Sequence, residues 1–130
     1  MNEKYLLIAL LAIALFSCEK KPGIEGLWVV KTVMAGENEM TPNARWMRFH
    51  SDSTQESGNG WLQHSVGTWS FDKSNNRLSV VNFNGLDDPN EPFAVTLLEN
   101  EMIWKRKEEG QALEVRLERT DQLPMKYGDK

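Results

Sequence analysis

Apolar and polar residues alternate along most of this chain, and the alternation is cleanest near its end. Leu113, Val115 and Leu117 interleave with Glu114, Arg116 and Glu118, the period-2 pattern of a strand with one face buried and the other in water. The same pattern predicts strands over 26–34, 45–50, 60–63, 66–71, 77–83, 93–98 and 102–107. After Ile24 no stretch of a dozen residues repeats its apolar positions at helical spacing. Tight-turn composition separates the predicted strands at 51–53, 72–76, 99–101 and 108–110. The third strand, read in full as 54–63, contains Ser57-Gly58-Asn59-Gly60, which is expected to bulge or interrupt it. Eight strands joined mostly by short turns predict an all-β fold, an eight-stranded up-and-down antiparallel barrel over 24–121 followed by a tail at 122–130. Two connections, 35–44 and 84–92, are longer than a hairpin needs. Strict up-and-down alternation puts both at one end, the expected mouth.

One segment breaks the pattern. Residues Tyr5 to Phe16 are apolar without interruption and follow a short polar start that ends on Lys4. As a helix these twelve residues rise about 18 Å, too short for a hydrocarbon core of roughly 30 Å. The segment 1–17 therefore reads as an export signal. Leu15-Phe16-Ser17-Cys18 resembles the bacterial lipobox, a resemblance that implies diacylation of Cys18 and cleavage before it. Cys18 would then open the mature chain and attach it to a membrane, since acyl chains contribute about 0.8 kcal/mol per buried CH₂. Glu19 to Gly23, with its Pro-Gly turn signal, completes a polar tether over 18–23. Because Glu19-Lys20-Lys21 lacks the acidic run that the resemblance associates with surface export, the expected location is the outer membrane of a bacterial envelope, facing the periplasm.

Composition sharpens this picture by subtraction. Cys18 is the chain's single cysteine, so no intramolecular disulfide staples the fold. Of the 52 apolar residues, 14 lie at or before Cys18, leaving 38 in the remaining 112. That fraction is low for a globular domain, and it suits a small barrel in which only the inner face of each strand is apolar. A net charge of −4 excludes a basic nucleic-acid binder.

Gly26-Leu27-Trp28 opens the first predicted strand and resembles the Gly-x-Trp element of lipocalins. The resemblance implies that Gly26 and Trp28 close the bottom of the barrel against an arginine of the last strand. Arg116 and Arg119 are both available; Arg119 is preferred because it shares the face of Leu117, whereas Arg116 shares that of Glu114 and Glu118. Gly67-Thr68-Trp69-Ser70-Phe71, the turn 72–76 and Arg77-Leu78-Ser79-Val80 resemble a hairpin of the short lipocalin-like lipoproteins of Bacteroidetes-type bacteria. Arg45-Trp46-Met47-Arg48-Phe49 resembles the strand preceding it there.

Reactive chemistry is sparse. His50 and His64 are the only histidines, too few with scattered carboxylates to specify a zinc site. The Ser/Asp residues near His50 have the composition of a turn. Asp87, Asp88, Asn90 and Glu91 match no ordered calcium loop. No catalytic residue, metal or cofactor is expected, and the chain does not read as an enzyme. Five tryptophans are more than plain packing of so small a barrel needs. Trp69 and Phe71 share one strand face, Met102 and Trp104 another, and Met34 is expected inside. These five are the candidate lining for a small hydrophobic ligand. In the alternative they fill a solid barrel that serves as a protein-interaction or inhibitor module, with Trp46 facing outward towards an envelope partner.

Overall fold

The computed structural model describes residues 23–83 and 91–125, which include nine strands and no helix. They are β1 (Gly26–Ala35), β2 (Asn38–Met40), β3 (Arg45–Phe49), β4 (Thr54–Asn59), β5 (Leu62–Asp72), β6 (Arg77–Asn82), β7 (Phe93–Leu97), β8 (Glu101–Glu108) and β9 (Gln111–Thr120). All pair antiparallel in the order β2-β1-β3-β4-β5-β6-β7-β8-β9, and β9 pairs back onto β1. Eight strands thus close an up-and-down barrel, and β2 is a short flap on the end of β1. The closing seam runs from Leu27 opposite Thr120 to Ala35 opposite Leu113.

Backbone chemistry at the turns explains where strands stop. Glu109 and Gly110 both have positive φ, 52° and 77°, as a two-residue type I′ hairpin between β8 and β9 requires. Gly60 has φ 57° and begins the two-residue turn between Asn59 and Leu62. The expected strand at 60–63 is therefore a turn followed by the start of β5, which runs unbroken for 11 residues. The irregularity expected from the glycines occurs as a register shift between Ser57 and Gly58. The expected long connection 35–44 is partly structured, because Gly36 (φ 62°) turns the chain back so that β2 pairs with β1.

Inner-face residues form one core: Trp28 and Val30 of β1, Met47 and Phe49 of β3, Leu78 of β6, Phe93 and Val95 of β7, Met102 and Trp104 of β8, and Val115 and Leu117 of β9. Each such large side chain contributes about 1.5–3 kcal/mol when fully buried. A bulge between Val30 and Thr32 shifts the parity of β1. Beyond it Val33 lies opposite the inward Val115, and Met34 lies opposite Glu114. Met34, expected inside, is on the outer face for this reason.

Trp46 also departs from expectation. It is on the outer face, yet only 2% exposed. Its indole packs over Gly58, where a Cβ would stand 2.8 Å from it, and its Nε1 donates to the Gly60 carbonyl at 2.7 Å. A glycine opposite a tryptophan leaves room for the ring to lie flat, so Trp46 is a structural cover and presents no free contact surface.

Candidate functional site

The barrel has two dissimilar ends. Gly26 lies at one, and up-and-down order places there the turns after β3, β5 and β7 and the end of β9. Trp28 is fully buried, and its Nε1 donates to the Ile24 carbonyl at 2.8 Å. Arg119, opposite it in register, lays its guanidinium 4.3 Å from the indole centroid. The two Nη atoms of Arg119 donate to the Glu25 and Gly23 carbonyls at 2.9 and 2.6 Å. Gly26, at φ 123°, is where a Cβ would approach Arg119 Nη1 to 3.0 Å. Gly26, Trp28 and Arg119 thus form one plug. Arg116 faces outward and pairs with Glu101 and Glu114.

Three of the candidate lining residues pack towards this closed half. Met102 is fully buried. Trp69 is partly buried, meets Phe49 edge-on at 5.4 Å and donates from Nε1 to the His50 carbonyl at 2.9 Å. Phe71, also partly buried, packs on the same core. Only Trp104 of the five expected residues lines the cavity at the other end.

That cavity occupies about 550 Å³. Val30, Val33, Met47, Val80, Phe93, Trp104 and Val115 supply its apolar wall, and Met40 to Asn43 border it on the β2–β3 connection. Arg45, Asn59, Asn82 and Arg106 add polar groups. The connection between β6 and β7 starts and ends on this side; residues 84–90, which hold the Asp87/Asp88/Asn90 cluster, lie outside the described residues, as do Cys18 and the apolar run before it. Pairing of β6 with β7 is confined to Arg77 with Ala94 and Leu78 with Phe93. Among the described residues Val80 and Asn82 lie beyond this pairing, and both line the cavity.

Arg106 stacks 4.0 Å over the Phe93 ring, which itself meets Trp104 at 5.0 Å. Its guanidinium pairs with Glu108 and donates to the Glu91 carbonyl at 3.0 Å. Arg106 Nε and Trp104 Nε1 are buried and have no acceptor among the described residues. A buried donor left unmade costs about 1–3 kcal/mol. On the β4–β6 side, buried Gln55 donates to Asn82 Oδ1 at 2.9 Å. Gly67 makes room for it, since a Cβ there would meet Gln55 Nε2 at 2.7 Å and the Val81 carbonyl at 1.8 Å.

Sequence reasoning missed Arg45, Arg106, Gln55 and Asn82. The signal for the two arginines was parity: Arg45 is two residues before inward Met47, and Arg106 two after inward Trp104. The histidines are not on the cavity wall. His50 Nε2 meets Glu56 at 3.2 Å, and His64 Nε2 meets Asn59 at 2.7 Å. Among the described residues no group of three or more His, Cys, Asp or Glu converges to hold a metal.

No protein-family model matches the chain, and no curated protein matches it. Among solved structures, a DUF4847-family protein from Bacteroides vulgatus superposes with a TM-score of 0.54 at 12% identity, over 75% of this chain and 94% of that one. At that identity the likeness is one of fold: both chains build the same kind of closed β-barrel.

Proposed function

We propose that this protein is a lipid-anchored envelope lipoprotein whose barrel holds one small hydrophobic ligand in the mouth cavity. The observation that carries the reading is the unequal filling of the barrel. One end is plugged inside by Trp28 and Arg119, with a groove of about 550 Å³ only on its outer face along Lys31, Glu101, Arg116 and Glu118. The other keeps a cavity of about 550 Å³ walled by inward side chains, within the usual range for small-molecule sites of about 300–1,000 Å³. Affinity would come from apolar area on Val33, Met47, Phe93 and Val115. The anchor is acylated Cys18, and the location is the periplasmic face of the outer membrane. These rest on the lipobox resemblance of Leu15 to Cys18 and the apolar run before it.

Metabolic labelling with radioactive palmitate tests the anchor. Label should enter the wild-type protein, and a Cys18→Ala variant should carry none and leave the membrane fraction. A variant that stays labelled and membrane-bound overturns the anchor. A second reading, an interaction module for an envelope protein, is favoured by Trp61 and Phe83, which are 70% and 65% exposed. Loss of partner capture on Trp61→Ser with unchanged dye binding in the cavity would select it.

A further inference from the structure

The charge on the cavity wall runs against that of the protein. The chain carries −4 overall, yet the described lining residues include two arginines and no carboxylate. Arg45 enters from β3 and Arg106 from β8, each two residues from an inward core side chain. Glu108 offsets the charge of Arg106. Arg45 is exposed and has no ion-pair partner among the described residues, so water alone balances its charge. Trp104, only 4% exposed, adds a second observation: among the described residues neither its Nε1 nor Arg106 Nε has an acceptor. An apolar ligand alone would strip water from Arg45 and leave both buried donors without an acceptor. An oxygen anion entering the cavity would give Arg45 a counter-charge and, once the side chains covering them shift, give both sealed donors an acceptor.

We propose that the mouth cavity takes an anionic amphiphile, with its oxygen-bearing head between Arg45 and Arg106 and its apolar part against Val33, Met47 and Val115. This rests on the ligand-holding reading and narrows it to a charge class. The match is electrostatic complementarity in a site partly withdrawn from water, where charge pairs are less screened than at an open surface.

The test is calorimetric titration of the full chain with dodecanoate, dodecyl phosphate and dodecanol, which share one tail and differ in the head. The apolar segment 5–16 is present in every variant, so differences between variants report the barrel. An anion should bind about tenfold tighter than the alcohol, the gain expected of one charged hydrogen-bonded contact. Arg45→Gln should erase that preference, bringing both anions down to the affinity of dodecanol. Arg106→Gln should do the same, with a melting curve to show that it folds; Arg45 is exposed and keeps the test decisive if Arg106→Gln does not. Whichever anion binds more tightly identifies the head as carboxylate or phosphate. Equal affinity for alcohol and anions, or a preference that survives Arg45→Gln, overturns the charge class while the cavity reading stands. Binding of none of the three overturns both.

Discussion

The two ends of this barrel are built on the same strands and differ in how their inward side chains are matched. At the closed end Trp28, Met102 and Leu117 are fully buried, and the Trp28 indole and the Arg119 guanidinium both donate to backbone carbonyls. At the mouth apolar and polar side chains share the cavity wall, and two buried donors have no acceptor among the described residues. A closed meander does not require both ends to be filled. Stability can be concentrated where tryptophan and arginine interlock, which leaves the other end free to depart from ideal packing. Two local features shape it: the bulge that turns Met34 outward, and a β6–β7 pairing of two residue pairs among the described residues.

Truncating one tryptophan at each end should separate the two ends most strongly. Trp28→Ala should cost about 4 kcal/mol in denaturant unfolding. Trp104→Ala should cost clearly less, because its loss also removes an unmade hydrogen bond. Equal losses would mean that the ends are energetically alike. The arginines give the next contrast. Arg119→Gln loses the stack on Trp28 and contacts to two carbonyls, an expected loss of about 2 kcal/mol in the same assay. Arg45→Gln should stay within about 0.5 kcal/mol of wild type.

The smallest effect expected is that of acid on the closed-end turns. A side-chain hydrogen bond from Thr54 holds the Asp52 carboxyl below its ordinary value of 3.8, helped by the Thr54 backbone N–H. Asn75 does the same for Asp72, helped by the backbone N–H of Ser74. Their folded-state values are depressed, so the stability they contribute is fully present above the ordinary value and is lost as pH falls below it towards the folded one. Amide exchange at Thr54 and Ser74 should rise relative to the β8–β9 turn in that acid range and match it near neutrality. Both carboxylates are exposed, so global unfolding should move little.

Much of the closed end was legible in the sequence, because Gly26-Leu27-Trp28 resembles a known barrel-closing element and strand parity then selects Arg119 over Arg116. Trp28 two residues after Gly26, and Arg119 two after Leu117, place their side chains on predictable faces, and antiparallel closure brings them together. The mouth was less legible for physical reasons. A bulge at Lys31 and Thr32 leaves no signature in the alternation of apolar residues, yet it reverses every face beyond it; Met34 went out and Val33 in. Trp46 was expected to be exposed because it lies on the outer face, but burial there is conferred by Gly58 across the strand pair, a neighbour that only the register supplies. Arg45 and Arg106 lie on the inner parity but read as surface charges, because arginine is so seldom placed on a barrel's inner wall. Gly60 reads equally well as part of a strand or as a turn until its positive φ is known.

On the proposed reading the open end is a ligand cavity and not a packing defect. Fluorescence titration of the full chain with 8-anilinonaphthalene-1-sulfonate, compared between wild type and Val33→Trp, tests it most directly. Val33 faces the cavity opposite Val115, and an indole there fills the space without touching the Trp28–Arg119 plug. The account predicts one saturable site per chain in the wild type, lost in Val33→Trp at unchanged melting temperature. Undiminished dye binding by a folded Val33→Trp would contradict it.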